Sequence, residues 1–505
     1  MKTYKYLFLL IGISIMGCSD LEEEPVGLLA PESFFATLED VQTAVNGSYG
    51  HMSHRYFMSR EMSMPLMLRS DMVELNEFVT NAERVQFDQI EVLADNASIA
   101  QYWPKVYQII GAANQAIAGA EIVGGDPSEV NPIVAQARFA RAFAYFHLVR
   151  QFGDIPYLDA PVTDIQAAAT ISKTPAADVY ANIIADLEFC QEWLPETQSA
   201  ASIPAKAAAE SYLSLVYLTL GDYQNAYNYS KMVIDNEGAY GLGLEPDFQN
   251  LFNDNEEASP EPIFEIDFSS VTDGDQGRNY QGPYTGIRAN EKYDDGGGWS
   301  VEVPSMAVYD TWNDQDYRKS VSFDPTGVFG GEVHSYEDFT DFYTAGVNRP
   351  HIAKFSRYGG LQGGNNRGNE QNYIMMRYAE VLLIAAESLN ELSPGSTEAE
   401  GYVNRVRARA RNGAAGSTPG VFPPNVSGLT QVQFREVVLD DRRIELAFEF
   451  KRWYDIARRK IGPEVFSAAG LEGYRAFDPN KDYLFPLPVN ELVRNPNLLP
   501  QNPGY

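Results

Sequence analysis

The chain has 505 residues, with 69 Asp and Glu against 38 Lys and Arg for a formal charge of −31, and 44% of its residues are hydrophobic. That apolar share suffices for a large core, built as about three units of ~150 residues or as one helical-repeat assembly. The acidity, with no polybasic stripe, excludes nucleic acid as a partner, because its phosphates would be repelled. Aromatics make up 12%, including 30 Tyr and 27 Phe; core packing accounts for most of them, although Tyr also offers a stacking face with a polar tip.

At the N-terminus, Lys2 and Lys5 precede an apolar run from Tyr6 to Met16. This run is too short for a membrane span of about 20 residues but suits the apolar region of a signal peptide. Ile15-Met16-Gly17-Cys18 then resembles the bacterial lipobox, in which the cysteine is lipidated and becomes the first mature residue. Cys190 is the only other cysteine, so acylation of Cys18 leaves no pair for a disulfide. Residues 1–17 are thus expected to be removed. The following Ser19-Asp20-Leu21-Glu22-Glu23-Glu24 is an acidic tether within 18–30, resembling the signal that sends Bacteroidota lipoproteins to the cell surface; a plain solvated linker has the same composition.

Helical periodicity dominates the chain after residue 31. Val41, Ala44, Val45 and Tyr49 form one apolar face, and Trp103, Tyr107, Ile110, Asn114 and Ile117 form another on a helix beginning near Ala100. A third helix, from about Val134 to Gln151, is stopped by Phe152-Gly153-Asp154-Ile155-Pro156. Ala207–Leu220, the turn Gly221-Asp222-Tyr223 and a return helix to Ile234 give the G-x-Y-x-x-A turn of tetratricopeptide repeats. A second pair is expected at 377–390 and 398–411. Val437–Arg459 reads as one further helix, with Ile444, Ala447 and Phe448 on its apolar side. Its Glu449/Arg452 and Asp455/Arg458/Arg459 spacings are those of stabilising helix-surface ion pairs. A salt-bridged packing helix is the expectation there.

Between the repeats, residues 247–370 change character. Ile263-Phe264-Glu265-Ile266-Asp267-Phe268 alternates like a half-buried strand, and Gly, Asn, Asp and Tyr dominate beyond it. Long connections of this kind are commonly functional or disordered, and dense aromatics argue against disorder. Sugars present C–H faces to Tyr and Trp rings and hydroxyls to Asn, Asp, Glu and Arg. Candidate ligand residues are therefore Tyr280, Tyr284, Arg288, Tyr293, Trp299 and Trp312, with Asn290 and Glu291 beside them; for any one of these rings, packing is an equally physical role.

Several motifs resemble one family. D-R-R-I-E-L-A-F-E-F-K-R-W-Y-D-I-A-R at 440–458, Y-L-F-P-L-P at 483–488, the terminal Q-N-P-G-Y at 501–505, the Trp103/Tyr107/Ile110/Asn114 helix and the F-G-D-I-P stop are similar to the RagB/SusD family of nutrient-binding outer-membrane lipoproteins. The resemblance implies a mainly α fold, a tetratricopeptide-like helical-repeat superhelix with a long loop-rich insertion carrying a few short strands. It divides the mature chain into an N-terminal helical region, 31–245, and a C-terminal region, 246–505, containing the insertion. It further implies a surface-exposed glycan-binding protein that passes oligosaccharide or polysaccharide to a SusC-like, TonB-dependent transporter, without catalysis or cofactor. It also places the polar loop Arg69, Asp71, Glu74 and Asn76 near the ligand face.

Diagnostic catalytic motifs are missing: no phosphate loop, no G-x-S-x-G elbow, no H-E-x-x-H. His51 and His54 are three apart but have no nearby Cys or carboxylate cluster to complete a metal site. A pair of glycosidase carboxylates is defined by spatial separation, so a surface glycoside hydrolase stays open as the alternative, as does a helical-repeat interaction scaffold.

Overall fold

The structure, a computed structural model, describes residues 34–253, 258–269, 276–292, 297–339, 347–357 and 370–505. Cys18, the acidic tether and Tyr293 lie outside the described residues.

Helix α1 (Leu38–Met52) opens on a capping box, with the Asp40 N–H donating to Thr37 Oγ1 and the Thr37 N–H to Asp40; two otherwise orphaned donors are satisfied reciprocally. After strand β1 (Val73–Leu75) and the short α2 (Ala82–Asp88) come α3 (Ala97–Val123), α4 (Pro127–Phe152), α5 (Ala176–Trp193), α6 (Lys206–Leu220) and α7 (Tyr223–Asp235). Each long helix packs on the next: α1 on α3, α3 on α4, α4 on α5, α5 on α6, α6 on α7. The tetratricopeptide-like turn is real. Gly221, at φ +75°, ends α6 in the left-handed conformation that glycine adopts without penalty, and Asp222 caps α7 by accepting the Asn225 N–H. In this half of the chain α4 starts at Pro127 behind the Asp126 cap, earlier than Val134, and α2 and α5 had not been anticipated.

The insertion is closed at its base. β2 (Pro262–Ile266) pairs antiparallel with β8 (Tyr373–Arg377), and between them lie α8 (Gln281–Thr285), β3 (Glu302–Pro304), β4 (Phe323–Asp324), β5 (Thr326–Phe329), β6 (Glu332–Ser335) and β7 (His351–Ile352). All described sheets are two-stranded: β1 with β3, β2 with β8, β4 with β7 and β5 with β6. Phe264 of β2 sits 4.8 Å from Phe139 and 5.3 Å from Phe143, ring to ring, and so ties this base into the helical core. Helix α9 (Tyr378–Leu392) then resumes the stack by packing on α7, and α10 (Thr397–Ala410) and α11 (Gln431–Glu445) pack on α9. The fold is a tetratricopeptide-like superhelix with a loop-rich insertion.

Val437–Arg459 is not one helix. α11 ends at Glu445 and α12 spans Arg452–Arg459, because buried Phe448 and Phe450 take φ of +67° and +64°, which no helix accommodates. The bend turns Glu449 away from Arg452 and into a buried ion network. Arg377 donates to Glu261 at 2.6 Å, Glu445 at 2.7 Å and Glu449 at 2.8 Å; Lys354 donates to Glu449 at 2.6 Å; Arg318 reaches Glu445 at 3.1 Å and Asp316 at 2.7 Å; Arg409 reaches Glu261 at 2.6 Å and also Glu445. Of the expected helix-surface pairs, Asp455 with Arg458 is present, but it too is buried and shared with Arg442.

Candidate functional site

The aromatic cluster of the insertion is assembled by backbone pairing. β1 and β3 are antiparallel with Leu75 opposite Glu302, and the Asn76 N–H extends the ladder to Val301 O at 3.0 Å. On its other side the segment before β3 is stitched to α8: the Val301 N–H donates to Tyr284 O at 2.8 Å and the Trp299 N–H to Pro283 O at 2.6 Å. So close an approach needs glycine; a Cβ on Gly298 would collide with the Gly286 carbonyl. The result is a triad of rings with centroid separations of 6.0 Å (Tyr280–Tyr284), 6.5 Å (Tyr280–Trp299) and 5.4 Å (Tyr284–Trp299). Tyr280 and Tyr284 are buried, whereas Trp299 is half-buried.

Two guanidiniums meet the triad. Arg84, carried by α2, donates to Tyr284 Oη at 3.0 Å and lies 5.0 Å from that ring's centroid; Arg60 lies 5.3 Å from the centroid of Tyr280. Burial raises the Tyr284 hydroxyl pKa, against the opposing pull of Arg84 and Arg60. A cavity of about 180 Å³ opens here, its wall including Arg60, Glu61, Asn81, Arg84, Gln101 and Tyr284. Behind it Glu302 is fully buried with no well-formed hydrogen bond to either carboxyl oxygen. Burial pushes its pKa up to about 8, although Arg84 and the Gln281 amide pull it down. A larger cavity of about 610 Å³, with Tyr49, Glu265 and Phe268 in its wall, lies between the end of α1 and β2; none of the three rings lines it.

The structure disperses the other sequence-derived candidates. Arg69 is buried, stacked 3.9 Å from the Trp453 ring and 4.3 Å from Phe485, and donates to the Asp482 carbonyl. Burial lowers its pKa to about 10. Asp71 is buried in a bidentate pair with Arg452 at 2.7 and 2.8 Å, whose pull outweighs burial and holds its pKa below the usual value. Glu74 pairs with Arg349. Asn76 donates to Ser300 O and accepts the Phe78 N–H at 2.7 Å. The polar loop is therefore an internal brace: its heads are consumed by tertiary partners, and its contribution to the triad is to fix the strand that carries Trp299. Trp312 is buried edge-on against Phe323, 5.3 Å away. Asn290 is buried and accepts the Val328 N–H at 2.9 Å, while exposed Glu291 accepts the N–H groups of Gly330 and Gly331 at 2.6 and 2.8 Å. Arg288 is exposed, and its main chain is held by Ser300 Oγ at 2.9 Å and by a bridge to Gly297.

Of the candidates, the geometry thus brings together Tyr280, Tyr284 and Trp299, with Arg288 on the adjoining strand segment. Arg60, Arg84, Asn81 and Gln101 were not found from sequence. The one available cue was Asn81, which caps α2 by accepting the Arg84 N–H at 3.1 Å and thereby places Arg84 in its first turn. Among the described residues no group of three or more His, Cys, Asp or Glu is arranged to hold a metal, and no helix is long and apolar enough to cross a membrane.

Comparison with known proteins bears on this site. Residues 343–505 match the model of the SusD family, and residues 30–218 match a second, described as starch-binding associating with outer membrane. A SusD-like protein P2 of Formosa agariphila is 51% identical, the alignment covering 100% of each chain. The chain belongs to the SusD family. A SusD-like protein of Bacteroides ovatus is 23% identical over 90% of this chain and 82% of its own. Among solved structures, a SusD homologue from Bacteroides thetaiotaomicron superposes with a TM-score of 0.81 at 21% identity, covering 94% of this chain and 98% of its own. A laminarin-binding SusD-like protein gives 0.75 at 23% identity, covering 93% and 99%. These structural likenesses establish the SusD fold for the helical stack and its insertion.

Proposed function

We propose that this SusD-family chain is a cell-surface glycan-binding lipoprotein that captures oligo- or polysaccharide at the Tyr280/Tyr284/Trp299 platform and delivers it, without catalysis, to a SusC-like TonB-dependent transporter in the outer membrane. The observation that carries this reading is the half-buried Trp299 ring packed on two buried tyrosines, one of which, Tyr284, lines a polar cavity. A sugar ring stacks on an indole face while its hydroxyls pair with amide and guanidinium groups such as those of Asn81, Gln101 and Arg84. Names of relatives support the ligand class: one neighbour binds laminarin, and another is a surface glycan-binding protein of Bacteroides fluxus. Titration calorimetry against a panel of plant, host and microbial polysaccharides tests it, with Trp299→Ala as the control variant; equal binding by Trp299→Ala and wild type to every glycan that binds would overturn the platform.

Anchoring by acylated Cys18 supports the location, several acyl chains being needed for stable attachment. Cys18→Ala is expected to leave the protein soluble or unprocessed on cell fractionation, and membrane retention of a processed Cys18→Ala chain would refute the anchor. We assign transporter docking to the helical stack rather than the insertion, which leaves the platform open to ligand. Detergent co-purification with the transporter checks this.

Glu302 favours the hydrolase reading in one respect, since a carboxyl held protonated near neutral pH is what a general acid requires. Yet it is fully buried and lines none of the cavity wall, so it is not placed to protonate a glycosidic oxygen. Product analysis after long incubation with a bound polysaccharide decides: new reducing ends that vanish in Glu302→Gln would establish hydrolysis.

A further inference from the structure

The platform's charges are matched differently from those elsewhere in the molecule. Arginines of the helical stack and of the insertion's base end on carboxylates: Arg141 on Asp186, Arg377 on Glu261, Arg435 on Glu391, Arg458 on Glu387. Among those that do not, Arg69 and Arg150 are stacked on rings and Arg411 donates to the Pro423 carbonyl. Around the ring triad, Arg60 is neutralised by Glu61. Arg84, Arg278 and Arg288 are different: none of them makes an ion pair with a described residue. Glu83, beside Arg84 in the same cavity wall, makes none with it either. Arg84 borders the triad directly through the Tyr284 hydroxyl, the main chain of Arg288 bridges to Gly297 and Gly298 just before Trp299, and Arg278 precedes Tyr280 by two residues.

In a chain of net charge −31, these three guanidiniums make no ion pair with a described carboxylate, although most arginines of the fold do. The nearest buried carboxyl does not supply the missing charge, because Glu302, with its pKa pushed up to about 8 by burial, keeps its proton at neutral pH. Arg84 is half-buried, so its positive charge is less screened than that of a fully solvated side chain. A guanidinium offers paired N–H donors in a planar fork that matches the oxygens of a carboxylate or a sulfate, which sugar hydroxyls alone do not require.

We propose that this platform selects polyanionic glycans, Trp299 taking a sugar face while Arg84 and Arg288 take the carboxylate or sulfate groups of neighbouring units. The inference rests on the glycan-binding reading above and adds the class of glycan.

The test uses matched pairs that differ in charge alone: dextran against dextran sulfate, and fully methyl-esterified polygalacturonate against polygalacturonate. Each is titrated into purified wild-type protein and into Arg84→Gln, Arg288→Gln and Trp299→Ala. The expected result is tighter binding of a charged member than of its neutral partner, weakening as salt rises. Affinity for that charged member should fall at least about tenfold in Arg84→Gln, less in exposed Arg288→Gln, and in Trp299→Ala as well. A response to dextran sulfate alone assigns sulfate, and to polygalacturonate alone, carboxylate. Arg288 lies on the surface, so Arg288→Gln remains informative if Arg84→Gln is unstable. Binding of the neutral members at equal or higher affinity, indifferent to both arginine variants but lost in Trp299→Ala, would overturn the polyanion proposal and leave the glycan platform standing. Charged-glycan binding indifferent to all three variants would overturn both.

Discussion

Cations in and around the insertion occupy two contrasting settings. At its base Arg318, Lys354 and Arg377 are almost wholly buried, and each is met by one or more of Asp316, Glu261, Glu445 and Glu449. At the ring triad, Arg84 and Arg288 are closer to solvent and make no ion pair with a described carboxylate. Desolvating a charge costs several kcal/mol unless a partner and full hydrogen bonding offset it, so the base must be satisfied internally for the chain to fold. A charge at the rim pays less and can wait for a partner from outside. Pairing, rather than the presence of arginine, separates what holds the insertion in place from what it offers a ligand.

The contrast breaks most sharply at Glu445. Glu445→Ala leaves Arg318, Arg377 and Arg409 with a missing shared partner, and chemical denaturation should show a loss of roughly 3–5 kcal/mol. Their combined charge outweighs burial and holds the Glu445 carboxyl far below the usual range, so the network persists into acid. The same holds for Asp455, whose pKa Arg442 and Arg458 bring down to about 2 against burial, from 3.8. Its stabilisation is full above pH ~4 and is lost as pH falls toward 2.

A smaller effect, of opposite sign in pH, belongs to Glu302. The folded carboxyl keeps its proton up to about 8 while the unfolded one ionises at 4.5. Stability should therefore decline between those values as pH rises. Glu302→Gln removes the ionisation, so its denaturation midpoint should lack this component of the pH dependence and exceed that of wild type at pH 9. An unchanged profile would mean that water or a reoriented Gln281 already solvates the group.

At the triad the predicted changes are smaller and differ by residue. Trp299→Ala should weaken glycan binding by at least roughly 1 kcal/mol with a melting temperature near wild type, since the ring is half-buried. Tyr284→Ala should lower both, because that ring is buried and its hydroxyl anchors Arg84. Calorimetric titration beside thermal melts separates the two; a Trp299→Ala chain that melts far lower would return Trp299 to the core.

Legibility from sequence followed the range of the interactions. The helices at 38–52, 206–220 and 223–235 are written in periodicity and caps that lie within a few residues of one another, so they were readable. The break between Glu445 and Arg452 was not. Nothing local in L-A-F-E-F-K asks two phenylalanines for positive φ; the conformation answers Glu449's partners Lys354 and Arg377, 95 and 72 residues away. Asp71 misled for the same reason, since Arg452, 381 residues on, claims it. Among the loop aromatics, composition pointed to the right stretch, but the separation of Trp299 from buried Trp312 depended on packing that no local pattern encodes.

The pairing of β2 with β8 has an evolutionary consequence. α7 and α9 pack on each other as though consecutive, so the superhelix closes without regard to what is strung between the two strands. Loop-closure entropy grows only logarithmically with length, and the clamp at 262–266 and 373–377 fixes both exits. Loops beyond that clamp can be lengthened, shortened or replaced at little cost to the scaffold, provided the segments that reach back into it are retained: the strand paired with β1, core rings such as Trp312 and Phe323, and the residues meeting Glu445 and Glu449. A lineage confronted with a new polysaccharide need not redesign its receptor, only what is mounted on it.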